Sequence, residues 1–452
     1  MSNSLNDTIC ALATRPGGAI AVVRVSGNES LAIVDKVFHK ANGKPLAEAA
    51  PNTIHYGQLT DSEGNAIDEV MASVFKAPHS YTGEDSVEIS CHGSQYVIAC
   101  ILRALIECGC RQAEPGEYTK RAYLNGKMDL SQAEAVADLI ASSNKATHQM
   151  ALSQLRGHFS NELSTLREQL LHITTLMELE LDFSDHEELE FADRGELLAL
   201  ATQIDGRITW LARTFATGKA IKQGIPVAIV GKTNVGKSTL LNKLLHEEKA
   251  IVSDIHGTTR DVIEDTTQIH GLTFRFIDTA GIRHTDDHVE RLGIERTYQK
   301  LHEATIVVWV TDESPTDEEL RDMRQRCEGK RLLMVRNKID LCGEMCPKGY
   351  LPLCAKQGKG LQELEDALYQ AADIPEITEN DVIITSVRHY EALIRAHEAI
   401  SLVIQGMENG LSGDLLSEHL RACLDALADI TGGSITPQEV LNNVFKHFCV
   451  GK

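Results

Sequence analysis

Eight residues constrain this chain more than any others: Gly231-Lys232-Thr233-Asn234-Val235-Gly236-Lys237-Ser238. They fit G-x-x-x-x-G-K-S, and the flanks supply the context that the pattern needs. Ile225 to Val230 reads as a short buried strand, and Thr239 to Leu245 as a helix with Leu240, Leu241, Leu244 and Leu245 on one face. A strand, a glycine-rich turn and a helix start together aim backbone N–H groups and a partial positive charge at phosphate oxygens. Asn234, Val235, Gly236, Lys237, Ser238 and Thr239 are therefore the expected phosphate-binding set. Lys237 is expected to reach the β- and γ-phosphates, and Ser238 to ligate magnesium.

The base is read elsewhere. Asn337-Lys338-Ile339-Asp340 follows a strand-like run from Leu332 to Val335. A carboxylate at Asp340 accepts two hydrogen bonds from the ring N–H and exocyclic amine of guanine; adenine lacks that donor pair and would leave the carboxylate unpaired. Lys338 is expected to lie along the base. Two switch-like motifs fall between these landmarks. Gly257-Thr258-Thr259-Arg260-Asp261 offers Thr259 to the magnesium ion. Asp278-Thr279-Ala280-Gly281 follows a strand-like run from Thr273 to Ile277, with Asp278 facing the metal through water and the Gly281 N–H sensing the γ-phosphate. Four motifs in this order predict hydrolysis of GTP. Ile282 stands where Ras-like enzymes carry a water-orienting Gln, so another group must orient the water; Arg260 and Arg283 are charged loop residues nearby in sequence.

Composition narrows the setting. The chain has 452 residues and a formal net charge of −21, which opposes non-specific binding to nucleic acid. No apolar run is long enough for a membrane span, and Met1 to Gly18 lacks the pattern of a secretory leader. Eleven cysteines in such a chain read as reduced thiols, so a cytoplasmic location is expected.

Character changes along the chain divide it. Residues 1–125 read as an N-terminal α/β domain, with strand-like runs at Ala19 to Val25, Val70 to Phe75 and Val87 to Cys91, and a helix from Ser94 to Glu107. Residues 126–217 read as helical. Ser131 and Glu134 are spaced as a capping box. Leu152, Leu155, Phe159, Leu163, Leu166, Leu170, Ile173 and Met177 recur as one long amphipathic stripe, followed by an acidic, exposed stretch from Glu178 to Glu190. Ile204, Ile208, Leu211 and Phe215 mark a further helix. Residues 218–376 carry the nucleotide motifs, and residues 377–452 return to helix, with stripes at Tyr390 to Ile400 and Leu416 to Leu427 and a capped helix starting at Thr436-Pro437-Gln438-Glu439. The fold class predicted is multidomain α/β plus α, a helical domain split by an inserted Ras-like P-loop domain. On spacing alone Arg24, Glu88 and His92 read as structural.

The chain resembles the bacterial tRNA modification GTPase family called MnmE or TrmE. The resemblance rests on the domain order, on residues 115 to 127 (Pro-Gly-Glu-Tyr-Thr-Lys-Arg-Ala-Tyr-Leu-Asn-Gly-Lys), on Gly257 to Asp261 and on Cys449-Val450-Gly451-Lys452. It implies an N-terminal domain that dimerises the protein and binds 5-formyl-tetrahydrofolate, with Arg24, Glu88, Lys127 and Lys452 as folate contacts. It implies an FAD-containing partner, MnmG (GidA), in a heterotetramer that engages tRNA and installs a carboxymethylaminomethyl-type group at carbon 5 of the wobble uridine. It implies a potassium ion held by Asn234, Ser253, Ile255 and Thr258, beside a guanine-nucleotide loop of Ser253, Asp254, Ile255, His256, Gly257, Thr258 and Thr259. Glu290 falls where the family orients water, so Glu290, Lys237 and Asn234 form the implied catalytic set. Leu353-Cys354-Ala355-Lys356 stands where Ser-Ala-Lys is common, so Cys354, Ala355 and Lys356 are expected at the base with the hydroxyl contact missing. Cys449 is a candidate for the modification chemistry. The alternative is a dimerising GTPase switch in ribosome or RNA assembly.

Overall fold

The computed structural model describes residues 7–40, 43–182, 194–246, 265–277, 303–341, 346–375, 378, 380–433, 438–446 and 448–451. They form two compact units. One contains the chain up to Ile140, Gln154–Leu198, and the chain from Leu402 onward; the other contains Ala141–Ser153 and Ala199–Ser401. Among the described residues no helix is long and apolar enough to cross a membrane.

The first unit is built on a seven-stranded sheet of β1 (Ile9–Leu12), β2 (Ile20–Ser26), β3 (Phe38–Lys40), β4 (Thr53–Thr60), β5 (Ala66–Phe75), β6 (Ser86–His92) and β7 (Arg111–Gln112). The spatial order is β3-β4-β5-β6-β2-β1-β7, antiparallel except for the β1–β7 pair. Alternation along β2 and β6 drives Val23, Val25, Val87 and Ile89 to one face. There they pack with Val34 of α1 (Ser30–Asp35) and with Ile98, Ile101 and Leu105 of α2 (Gln95–Glu107). Sequence periodicity located β2, β5, β6 and α2, and missed β1, β4 and the helix α3 (Glu117–Leu124) that starts directly after Pro115-Gly116.

Two helix expectations need correction. The expected stripe from Leu152 to Met177 is not one helix: α5 (Lys145–Leu155) ends and α6 (His158–Asp182) begins around Gly157, whose φ of +82° lies in the left-handed region. Phe159, Leu163, Leu166, Leu170, Ile173 and Met177 are the buried face of α6 alone. The acidic stretch accordingly starts inside α6, and residues 183–190 lie outside the described ones. The capping box also moves. Helix α4 spans Leu130–Ala141, so Ser131 is already inside it. Asp129 caps it, its Oδ1 accepting from Gln132 N at 2.9 Å while Gln132 Oε1 accepts from Asp129 N at 3.0 Å. Helix α6 packs against a later helix of the same unit, Gly413–Thr431, which buries Leu416, Leu420, Cys423 and Leu427. The expected cap at Thr436-Pro437 lies outside the described residues; the helix itself runs over Gln438–Lys446.

The second unit holds a six-stranded sheet of β8 (Ile225–Val230), β9 (Asp265–Ile269), β10 (Leu272–Phe276), β11 (Ile306–Thr311), β12 (Arg331–Arg336) and β13 (Leu351–Pro352). The order is β13-β12-β11-β8-β10-β9, parallel except for the β9–β10 hairpin. The four-residue run Val227 to Val230 is buried on both faces, as a central parallel strand requires. Helices α7 (Arg194–Gln223) and Val387–Glu408, one before and one after this sheet in sequence, meet where Phe215 stacks on Tyr390 at 4.6 Å, and Ile384, three residues ahead of the later helix, donates its N–H to Thr214 Oγ1 at 3.0 Å. The nucleotide sheet is thereby inserted between paired helices, as the fold class expected.

Candidate nucleotide and N-terminal sites

The phosphate loop follows β8 and runs into α8 (Lys237–His246). Both motif glycines are sterically required. A Cβ on Gly231 would lie 2.2 Å from Val310 O, and one on Gly236 would lie 2.2 Å from Asn337 Nδ2; both positions have positive φ. Asn234 is exposed with φ +60°, a conformation Asn tolerates better than most residues, and its side-chain amide is free of hydrogen bonds among the described residues. Lys237 Nζ donates to Gly231 O at 2.7 Å and to Lys232 O at 2.6 Å, which draws the ammonium group over the loop.

The segment expected to read the base is wired to this loop. Asn337 is buried; its Nδ2 donates to Val235 O at 2.7 Å and its Oδ1 accepts from Ala355 N at 3.0 Å. One side chain thus locks the phosphate loop, the Asn-Lys-x-Asp turn and the Cys-Ala-Lys loop into a single frame. Lys338, at φ +61°, donates to Asp312 Oδ2 at 2.8 Å, and that bond holds the Asp312 carboxyl below its usual range. Lys232 pairs with Glu319 at 2.7 Å; Glu319 is also the acidic half of the capping box on the helix Asp317–Arg326.

Cys354 departs from expectation in an informative way. The thiol is buried and donates to Asp340 Oδ1 at 3.2 Å, so the missing hydroxyl is replaced by a weaker donor aimed at the carboxylate expected to read guanine. Its backbone is held by a bridge to Lys359, Cys354 N donating to Lys359 O at 2.9 Å. Lys356 is exposed. Ser253 to Thr259, Asp278 to Gly281, Ile282, Arg283, Arg260 and Glu290 lie outside the described residues.

The structure brings together a second constellation that spacing alone did not separate from the core. Arg24 on β2 stands directly opposite Glu88 on β6, and Arg24 Nε and Nη2 reach Glu88 Oε1 at 2.9 and 2.7 Å. The guanidinium carbon lies 5.2 Å from the Tyr81 ring centroid and 5.5 Å from that of Tyr118. A carboxylate, a fork of cationic donors and a phenol ring at one partly exposed place suit a flat heterocycle with N–H donors. Lys127 is close by sequence but bonds to Pro78 O at 2.9 Å, and its methylenes line Gly83. Lys452 lies outside the described residues, yet the chain before it is placed. Gly116 N donates to Cys449 O at 3.3 Å, and a Cβ on Gly451 would lie 2.1 Å from Leu12 O at the end of β1. Cys449 itself is exposed. His92, read as structural, hydrogen-bonds Asp68 Oδ1 at 2.8 Å.

An ionic knot centred on the buried Arg121 is joined to β2 beside this site. Arg121 reaches Asp7 Oδ1 at 2.6 Å, Glu117 Oε1 at 3.0 Å and Glu84 Oε1 at 3.2 Å, while Arg111 pairs with Asp7 and Glu117. Glu84 also accepts from Ser26 Oγ at 2.8 Å, which fastens the Tyr81 loop to β2. Burial alone would raise the Asp7 and Glu117 carboxyls; the two arginines outweigh it and hold both below the ordinary carboxylate range. Sequence reading missed Tyr81, Tyr118, Asp312 and Glu319; only Glu319 carried a local signal, the Thr316-x-x-Glu319 capping pattern.

The family described as "GTP-binding protein TrmE N-terminus" matches residues 8–127, and the one described as "MnmE helical domain" matches residues 130–449. The tRNA modification GTPase MnmE of Phocaeicola vulgatus is 53% identical to this chain, with 99% of each chain covered. Its namesakes in Bacteroides thetaiotaomicron and Bacteroides fragilis are 54% and 55% identical, also over 99% of each chain. The chain belongs to the MnmE family of tRNA modification GTPases.

Proposed function

We propose that this GTPase works in the cytoplasm as a homodimer with an FAD-containing MnmG-type partner, adding a carboxymethylaminomethyl-type group at carbon 5 of the wobble uridine of certain tRNAs. The observation that carries the reading is full-length identity above half to proteins named for tRNA modification, in a chain whose phosphate and base loops share one frame through Asn337. The proposed domains are 1–125 for folate and dimerisation, 126–217 and 377–452 for the two helical halves, and 218–376 for the nucleotide. Ile54, Tyr56 and Met71, exposed on adjacent strands of the N-terminal sheet, favour a second copy as partner.

In the nucleotide site Ser238 and Thr259 would hold magnesium, and Asn234 with Ser253, Ile255 and Thr258 would hold potassium. The exposed amide of Asn234, without a hydrogen bond among the described residues, fits a cation ligand, and a potassium ion there would supply positive charge beside the phosphates. Lys237 binds the phosphates, Asp340 with Lys338, Ala355 and Lys356 binds guanine, and Glu290 orients water. In the N-terminal unit Glu88 accepts from the pterin edge of a formyl-tetrahydrofolate, and Arg24, Lys127 and Lys452 serve the rest of that ligand.

Full-length protein is expected to hydrolyse GTP faster in potassium than in sodium, an advantage lost in Asn234→Ala; equal rates in the two salts count against the potassium site. Cells lacking the chain should accumulate tRNA with an unmodified wobble uridine by mass spectrometry. Normal uridine chemistry there would favour the assembly-switch reading instead.

A further inference from the structure

The turn between α4 and α5 grips the β9–β10 hairpin at three points. Asn144 Nδ2 donates to Thr273 Oγ1 at 2.7 Å, Gln268 Nε2 donates to Ser143 O at 2.5 Å, and Ala146 N donates to Gly271 O at 3.4 Å. Thr273 and Gln268 are directly opposed across the two strands, so their side chains share one face of the hairpin. One short segment therefore holds both strands and the turn that joins them. The Asn144 bond is sheltered, the residue being 8% exposed.

The gripping segment is itself rigid. Asn144 Oδ1 accepts from Thr147 N at 2.8 Å, and Thr147 Oγ1 donates to Asn144 O at 3.0 Å, which caps α5. Behind the cap, Ala146 and Met150 pack into the same core as Ile269, Leu272 and Phe274. The helical segment ahead of the phosphate loop thus contributes part of its own chain to the nucleotide unit.

The hairpin matters because of what it joins. It starts at Asp265, shortly after Gly257-Thr258-Thr259-Arg260-Asp261, and ends at Phe276, just before Asp278-Thr279-Ala280-Gly281. Both motifs that respond to a γ-phosphate are tethered to the ends of this one strand pair. Its remaining strand partner is β8, which leads into the phosphate loop.

We infer that Asn144 is a positioning residue for GTP hydrolysis, acting through Thr273 to fix the hairpin that carries both γ-phosphate-responsive motifs. The inference rests on the GTPase reading. It assigns to the α4–α5 turn a share in setting the hydrolysis rate without any contact with the nucleotide, and it gives the helical segment a direct lever on the switch motifs.

Two single variants separate this role from mere stability. Asn144→Ala loses both the cap on α5 and the hairpin bond; Thr273→Val loses only the bond and leaves the cap intact. Single-turnover hydrolysis and GDP affinity are measured on the full chain, with amide exchange followed over residues 265–277. Both variants are expected to lower the hydrolysis rate about threefold to tenfold and to speed exchange in the hairpin, with GDP affinity within twofold of the parent. The double variant should be no slower than the slower single one. Asn144→Asp keeps the cap and can accept a hydrogen bond from the Thr273 hydroxyl, so it should restore most of the rate. Parent-like hydrolysis by Thr273→Val, or additive losses in the double variant, would overturn the inference. Absence of hydrolysis in the parent protein would instead refute the GTPase reading on its own.

Discussion

Replacing Arg121 by Met removes the centre of the ionic knot while keeping most of the side-chain volume. Arg121 is 1% exposed and is the cation bound to Glu84, whereas Asp7 and Glu117 retain Arg111. The variant therefore leaves the Glu84 carboxylate, 9% exposed, with only the Ser26 hydroxyl as a side-chain donor among the described residues. Deleting one partner of a buried ion pair costs about 3–5 kcal/mol. In a unit of this size each kcal/mol lowers the midpoint by about 2–4 °C, so a fall of roughly 6–20 °C is expected. The two tryptophans make the assay selective: Trp210 and Trp309 both belong to the nucleotide unit. Far-UV circular dichroism should show an early transition in Arg121→Met, while the tryptophan-fluorescence transition stays in place. Acidification tests the electrostatic origin. Asp7 and Glu117 have depressed carboxyl pKa values, so their contribution is present above the unfolded values near 4 and disappears as pH falls through the folded ones. The gap between parent and variant should narrow on acidification for the same reason. A midpoint shift below about 2 °C, or an equal shift in both probes, would refute the reasoning.

Two further outcomes follow from the sites. Cys354→Ala removes the donor to Asp340 and should weaken GDP binding about twofold to tenfold, the range of one modest hydrogen bond, with a smaller loss for the inosine nucleotide; Cys354→Ser should bind at least as well as the parent. Titration of a fluorescent GDP analogue, with inosine diphosphate in competition, checks both. Cys449→Ser should abolish or impair modification of the wobble uridine while leaving GTP hydrolysis nearly intact, because the exposed thiol lies in the N-terminal unit and apart in sequence from every nucleotide motif; a proportional fall in both rates would contradict that separation.

Local chemistry made much of this molecule legible. The phosphate loop is a run of eight residues whose strand and helix flanks have plain periodicity, so the turn, β8 and α8 could be placed from Ile225 to Leu245 alone. The buried face of α6 was equally plain, but its continuity with α5 was overread, because a 3–4 spacing passes unchanged through Gly157. Strand β4 hid because its exposed face carries Ile54 and Tyr56, which inverts the alternation expected of a strand with one solvent face. The N-terminal site was illegible for a different reason. Arg24 and Glu88 are 64 residues apart and meet only through strand register, and the folate role expected of them came from family resemblance rather than spacing. The grip of Asn144 on Thr273 spans 129 residues and leaves no local trace at all.

The seat of Gly451 on Leu12 has a consequence for how the protein is made. Residues 449–451 are synthesised about 440 positions after β1, and at roughly 5–20 residues per second that interval is of the order of 20–90 s. Throughout it the Leu12 end of β1, which β7 does not reach, lacks the tail residues that later pack against it. A chain cut between residues 376 and 449 would keep its nucleotide loop but never close this seam. Closure of the N-terminal unit around the end of β1 therefore needs residues from both ends of the described chain.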